Sequence, residues 1–194
     1  MNYKELIGVL AIALTFYAFF PYIRSIRQGI TKPHVFSWVI WGSTTFVVFL
    51  AQVADKGGAG AWPIGVSGLI TLYVAYLAYT KKSDTRITRI DWIFFIMALT
   101  SLPAWYLTSD PLWSVVILTL VDAAGFVPTF RKAFNKPFEE HLLFYNLIAI
   151  RNVLVIIALV NVSMTTVLFP AVLAVLTVIF IVMVMLRRQV ATVI

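Results

Sequence analysis

The chain has 194 residues, of which 61% are hydrophobic and only 12% are charged. A soluble domain is about half apolar and about a quarter charged, so this composition excludes an ordinary soluble core. The apolar residues form blocks of the length that crosses the ~30 Å of membrane hydrocarbon as a helix, without strand-type alternation. The sequence therefore predicts an all-α membrane protein and argues against a β-barrel.

The formal net charge of +7 would suggest a nucleic-acid partner in a soluble protein. Here the Lys and Arg residues lie between apolar blocks, so membrane topology accounts for them and no nucleic acid is expected. The absence of cysteine excludes disulfides and thiolate metal sites. His34 and His141 are far apart in sequence and form no metal-binding motif, so we expect neither a metal nor a cofactor.

Turn and breaker residues divide the chain into seven apolar segments, which predict seven transmembrane helices. The predicted helices cover residues 5–27, 34–54, 62–80, 89–108, 112–133, 139–160 and 165–187. The first segment has no small-residue cleavage site and is interpreted as a retained helix. Residues 162–165 form the shortest interruption, which is either a turn or part of one long bent helix.

Loop Lys and Arg residues divide 12 to 2 between the two sides of a seven-helix protein. Lys4 and Lys56 form the smaller group, and Arg151 lies inside the sixth helix. The larger group is Arg24, Arg27, Lys32, Lys81, Lys82, Arg86, Arg89, Arg131, Lys132, Lys136, Arg187 and Arg188. Because basic loops stay in the cytoplasm, we predict an external N-terminus, a cytoplasmic C-terminus and a location in the plasma (inner) membrane.

The first three predicted helices resemble the last three. Proline-containing pairs recur at nearly one spacing: Phe20-Pro21 and Val127-Pro128 (107 residues), Trp62-Pro63 and Phe169-Pro170 (107), and Lys32-Pro33 and Lys136-Pro137 (104). The spacing falls by three residues across the first loop of each unit and rises by three again across the next loop. A three-residue gap in the first loop, compensated in the next, therefore reconciles the three values. One linker helix between two three-helix units gives them the same orientation, so we predict two parallel bundles in a 3+1+3 fold. Its parts are residues 1–82, 83–110 and 111–194.

Pro21 and Pro128 lie inside the first and fifth helices, about one to two turns from the cytoplasmic end. Each proline removes a backbone hydrogen bond and kinks its helix. Membrane helices tolerate such kinks, and gates need hinges. We predict that both prolines are hinges; a static packing kink is the alternative.

Two ionisable residues lie deep in predicted helices, where they are expensive and by default suggest function. Asp122 lies in the fifth helix and Arg151 in the sixth, each about 15–18 Å from the cytoplasmic end. We predict that they pair or share a hydrogen-bond network that binds a polar solute or switches with protonation. A purely structural ion pair is the alternative.

Short motifs resemble those of the SWEET, SemiSWEET and PQ-loop transporter superfamily. The matching residues are Pro21-Tyr22, Arg24, Arg27, Ser37-Trp38 and Trp41. In that family a Pro-Gln pair closes helix 1, a basic loop follows, and Ser and Trp open helix 2; here the glutamine is missing after both Pro21 and Pro128. Residues 38–41 also resemble the WxxW element of Pnu-type vitamin-precursor transporters, and KDEL receptors share the seven-helix layout.

The resemblance implies a solute pocket lined by Asn and aromatic side chains. Asn146 and Tyr145 match by type in the second half, and Trp41 and Gln52 are the corresponding candidates in the first. Helix packing or a helix–helix hydrogen bond is the alternative role for each. Asn152 is expected to face away from Arg151, because adjacent helical residues do not share a face.

These observations favour a transporter of a small polar solute (sugar, amino acid or nucleoside-like) that works by alternating access. Facilitated diffusion is the default, and proton coupling through Asp122 is a variant. A non-transporting membrane receptor or assembly factor on the same fold is the alternative. No phosphate loop, nucleophile triad or metal cluster is visible, so we do not expect an enzyme. The expected partners are the solute and the lipid bilayer, with a homo-oligomer left open.

Overall fold

A computed structural model describes residues 2–29, 33, 35–81, 87, 89–135, 137–139 and 142–193. These residues form seven α-helices and two short 3-10 segments: α1 (Tyr3–Arg27), α2 (Val35–Ala54), η1 (Gly58–Gly60), α3 (Trp62–Thr80), α4 (Arg89–Thr108), α5 (Pro111–Asn135), η2 (Pro137–Glu139), α6 (Leu142–Ala158) and α7 (Met164–Val193). The helical class is confirmed. The predicted bounds of α3 and α4 agree with the structure, whereas α7 continues six residues beyond its predicted end.

The question left open at residues 162–165 is resolved as a turn. The helix α6 ends at Ala158, and α7 starts at Met164. Ser163 and Thr166 exchange hydrogen bonds, since each backbone N–H donates to the other's hydroxyl at 3.0 and 3.3 Å. This exchange caps the first turn of α7, where backbone N–H groups lack helical partners. At its other end α6 begins three residues later than predicted, because Pro137–Glu139 form η2.

Four helical segments in the described residues are long and apolar enough to cross a membrane: Tyr3–Arg27, Val35–Ala54, Gly58–Thr80 and Met164–Val190. Three further helices are apolar but shorter, namely Trp92–Thr108, Pro111–Phe126 and Leu142–Ala158. Large apolar side chains such as Phe16 and Phe20 on α1 point outward. A lipid environment suits such a surface, so the chain is a helical membrane protein.

The helices pack in the same order in the two halves of the chain. In the first half α3 packs against both α1 and α2, and in the second half α7 packs against both α5 and α6. Between the halves α1 packs against α6, and α2 packs against α5. The helix α4 lies against α5 and, less extensively, against α2.

One end of the molecule is tied together by hydrogen bonds between the two halves. We call it the Lys56 end; it contains the start of α1, the α2–α3 connection and the α6–α7 connection. Lys4 Nζ donates to the Leu159 carbonyl (2.7 Å), and Val160 N donates to the Gly57 carbonyl (2.9 Å). Gly58 has a positive φ of 64°, and a Cβ there would collide with Val160. Glycine at this position therefore permits the close approach of the two connections.

The opposite end, called the basic end, contains Arg27, Lys81 and the C-terminal part of α7. There Arg187 Nε donates to the Phe134 carbonyl at 3.0 Å, which ties α7 to α5 within one half. The termini of the described chain therefore lie at opposite ends of the molecule.

The buried apolar residues form one cluster at the Lys56 end and two at the basic end. The first cluster, called the common core, takes residues from both halves: Ala11, Val48, Phe49, Ala51, Ala61, Ile64, Val115, Leu118, Val155, Phe169 and Leu173. Towards the basic end, a cluster of Phe19, Ile26, Ile70, Val74 and Leu77 belongs to α1 and α3, with Ile148 of α6 at its edge. A separate cluster of Ala133, Phe180 and Val184 belongs to α5 and α7. The halves thus share one large core cluster at the Lys56 end. At the basic end each half has a smaller cluster of its own, although the Phe19 ring still meets the Phe144 ring of α6 (centroids 5.9 Å apart).

Candidate functional site

Asp122 and Trp41 lie close together because both contact Thr44. The Thr44 hydroxyl lies 2.9 Å from Asp122 Oδ1 and 3.0 Å from the Trp41 carbonyl. Both Thr44 and Asp122 are buried, with Asp122 only 7% exposed. The Trp41 indole packs against Gly125, where a Cβ would lie 2.9 Å from Nε1. These contacts join α2 of the first half to α5 of the second.

Arg151 lies on α6 and is only 3% exposed. Its Nη2 donates to Asn152 Oδ1 at 2.8 Å. Among the described residues, Arg151 Nε and Nη1 and the Asn152 amide nitrogen have no hydrogen-bond partner. The buried charge is therefore bonded to one neutral amide.

The predicted pair of Asp122 and Arg151 is wrong, since Asp122 bonds to Thr44 and Arg151 bonds to Asn152. The physical reason is that α7 packs against both α5 and α6 and lies between the helices that carry the two charges. The expectation that Asn152 faces away from Arg151 is also wrong. A long guanidinium side chain can bend towards the adjacent residue, which the rule for helix faces does not consider.

Four polar residues lie one helical turn from the common core, on the side of the basic end. Thr15, Thr44, Asp122 and Arg151 are each four residues from a core residue: Ala11, Val48, Leu118 and Val155, respectively. Residues at i and i+4 share a helix face, and four residues span about 6 Å. All four side chains are buried. We call these four residues the polar layer.

The structure does not bring the other predicted pocket residues to the polar layer. The Tyr145 ring packs 4.3 Å from the Phe180 ring, in the apolar cluster of the second half. Asn146 is exposed, and its amide donates to the Leu142 carbonyl of its own helix (2.9 Å). Gln52 is fully buried at the Lys56 end, where Nε2 donates to the Thr166 carbonyl (2.7 Å). It lies eight residues from Thr44, about 12 Å along α2.

The two predicted hinges lie inside continuous helices. The helix α1 runs through Pro21, and the backbone of α5 runs through residue 128. The side chain of Pro128 lies outside the described atoms. Both positions are six or seven residues before the end of their 25-residue helices, at matching depth.

Sequence reasoning missed Thr44 and misplaced Asn152. Thr44 lies three residues after Trp41 and so shares its helix face, which was a usable signal. Asn152 is an amide beside a buried Arg, but periodicity alone placed it on another face.

No family model, curated protein or solved structure matches the chain. Among the described residues, no three His, Asp or Glu side chains form a group that could hold a metal ion. The packing of the helices and the polar layer are therefore the features that bear on function.

Proposed function

We propose that the protein transports a small polar solute across the plasma (inner) membrane by alternating access, without chemical conversion of the solute. In this proposal all seven α-helices cross the membrane as two parallel three-helix bundles with α4 as the linker. The observation that carries the proposal is the asymmetry of the core. One large common core joins the halves at the Lys56 end, whereas at the basic end each half has its own smaller cluster and the halves meet mainly through Ile148 and Phe144 of α6.

The position of the polar layer supports this function. Buried ionisable groups are costly in a membrane and usually mark a pathway or binding site. Asp122 and Arg151 lie just beyond the common core, at the depth where it gives way to the two smaller clusters of the basic end. An apolar core on one side and polar groups on the other is the arrangement expected of a site that is closed towards one face of the membrane.

The shared packing order supports the parallel repeat. Exchanging α1, α2 and α3 for α5, α6 and α7 preserves both the order within each half and the α1–α6 and α2–α5 contacts. At the 107-residue spacing, Thr15 is the counterpart of Asp122, and both are buried members of the polar layer. Two related bundles that rock about a central site are a common transporter construction.

Charge distribution supports a cytoplasmic basic end. Among the loop Lys and Arg residues that the structure describes, Lys4 and Lys56 lie at the Lys56 end, whereas Arg27, Lys81 and Arg187 lie at the basic end. Under the positive-inside rule this end faces outward. The described conformation then corresponds to a transporter closed towards the outside.

The test exploits the absence of cysteine from the chain. The Ser163 hydroxyl donates to Asp55 Oδ2, so these residues are in contact across the Lys56 end. A double variant, Asp55→Cys with Ser163→Cys, is reconstituted in liposomes and assayed for solute counterflow with and without an oxidant. We expect oxidation to stop exchange, because the Lys56 end can no longer open, and reduction to restore it.

The single variant Asp55→Cys is the control and should be insensitive to the oxidant. Full exchange through the cross-linked protein contradicts alternating access at this end. No exchange of any sugar, amino acid, nucleoside or organic acid by the wild-type protein would instead favour the receptor or assembly role.

A further inference from the structure

The charges of the polar layer are not paired with each other. Asp122 has a neutral partner, Thr44, and Arg151 has a neutral partner, Asn152. A buried cation without a counter-charge is unstable in a medium of low dielectric. The guanidinium remains charged in proteins, so it cannot relieve this cost by losing a proton. Within the described part of the chain, the positive charge at this place on α6 thus has no counter-charge.

The unused hydrogen-bonding groups at this place are all donors. They are Nε and Nη1 of Arg151 and the amide nitrogen of Asn152, all inaccessible and without a partner among the described residues. The Asn152 carbonyl oxygen accepts from Arg151 Nη2. A group that fits must therefore accept hydrogen bonds from these donors and carry negative charge.

We propose that Arg151 and Asn152 bind the carboxylate of a monoanionic organic solute. This inference rests on the proposed transport function and names its substrate class. One carboxylate neutralises one guanidinium, so the occupied site has no net charge. A phosphate dianion would leave excess negative charge in the membrane, in the same polar layer as Asp122. The Arg151 side chain extends from the face of α6 that carries Val155, so the carboxylate binds directly below the common core.

The decisive variant is Asn152→Asp. It places a carboxylate where the Asn152 oxygen now lies, 2.8 Å from Arg151 Nη2. The new side chain pairs with Arg151 permanently and removes the need for a solute carboxylate. The variant should therefore fold at least as stably as the wild type, yet lose binding. If Asn152 had only a structural role, the variant would not combine wild-type stability with a loss of carboxylate binding.

The measurement is thermal unfolding of the purified full-length protein with acetate, lactate or benzoate, compared with acetamide, lactamide and benzamide at equal concentration. A ligand that binds only the folded state raises the melting temperature. We expect at least one carboxylate to stabilise the wild type and its matched amide to have no effect. In Asn152→Asp and Arg151→Gln the apparent Kd should rise about 10- to 100-fold, the range for a charge-assisted hydrogen bond. Arg187→Gln, which removes a cation at the basic end, should respond as the wild type does.

Three results would overturn the inference: no carboxylate stabilises the wild type, Asn152→Asp responds as the wild type does, or chloride alone gives the same Arg151-dependent stabilisation. Counterflow separates this inference from the transport function. If the protein exchanges a neutral solute and Asn152→Asp does not change that exchange, the transport function stands and the carboxylate site is contradicted. If carboxylates bind in an Arg151-dependent way but no solute is exchanged, the carboxylate site stands and the transport function is contradicted.

Discussion

The Thr44 hydroxyl donates to Asp122 Oδ1 across 2.9 Å and so connects α2 in the first half to α5 in the second. This contact lies one turn from the common core, on the side of the basic end. We expect Thr44→Val to lower the free energy of unfolding by about 1–3 kcal/mol, because it leaves a buried carboxyl without its donor. Thr44→Ser keeps the hydroxyl and should stay near the wild type. Chemical denaturation in detergent measures both; equal stabilities would show that the bond contributes nothing.

Asp122 is also the candidate for proton coupling. Asp122→Asn keeps a carbonyl oxygen that can accept from Thr44 but cannot take up and release a proton. If transport is coupled through this residue, the variant should lose accumulation driven by a pH gradient while it retains counterflow. Transport in liposomes with and without an imposed gradient distinguishes these activities. Undiminished accumulation in the variant assigns coupling elsewhere, and no gradient effect in the wild type indicates facilitated diffusion.

Close packing of η1 on α6 makes a clear prediction about Gly60. A Cβ at this position would lie 2.6 Å from the Val155 carbonyl oxygen and 2.7 Å from Leu159 N, which are backbone atoms that cannot move aside. Gly60→Ala should therefore reduce stability by about 1–3 kcal/mol, the usual range for overpacking. Gly125→Ala is the matched comparison, because its new methyl group would meet the movable Trp41 indole. Thermal unfolding should show the larger loss for Gly60→Ala; the reverse order would contradict this packing.

The predicted topology can be tested by chemical labelling, since the wild-type chain has no cysteine to give background. Lys56→Cys places a thiol at the Lys56 end, and Lys81→Cys places one at the basic end. In intact cells a membrane-impermeant maleimide should label Lys56→Cys alone, whereas both should react after lysis. Labelling of Lys81→Cys in intact cells with protection of Lys56→Cys would reverse the orientation.

Helix positions depend on short-range information, and the sequence predicted them well. Each helix is an apolar run bounded by turn residues, so the chain itself marks where it starts and ends. The bounds of α3 and α4 agree to the residue, and α6 differs because proline and a 3-10 turn precede it. The depth of Asp122 and Arg151 could also be counted along their helices, and the structure places both in the polar layer.

Which helices are neighbours could not be read in the same way. Helical periodicity states which residues share a face, but it does not state what that face contacts. Only the tertiary structure shows that α7 separates α5 from α6, and that separation removes the predicted pair of Asp122 and Arg151. The chain by itself therefore determined a helical membrane protein with Asp122 and Arg151 in the middle of their helices, because composition and periodicity are local properties. The packing of distant helices decided that Thr44 is the partner of Asp122 and that the large core cluster shared by the halves lies at the Lys56 end, while the side-chain conformation of Arg151 decided that its partner is the adjacent Asn152.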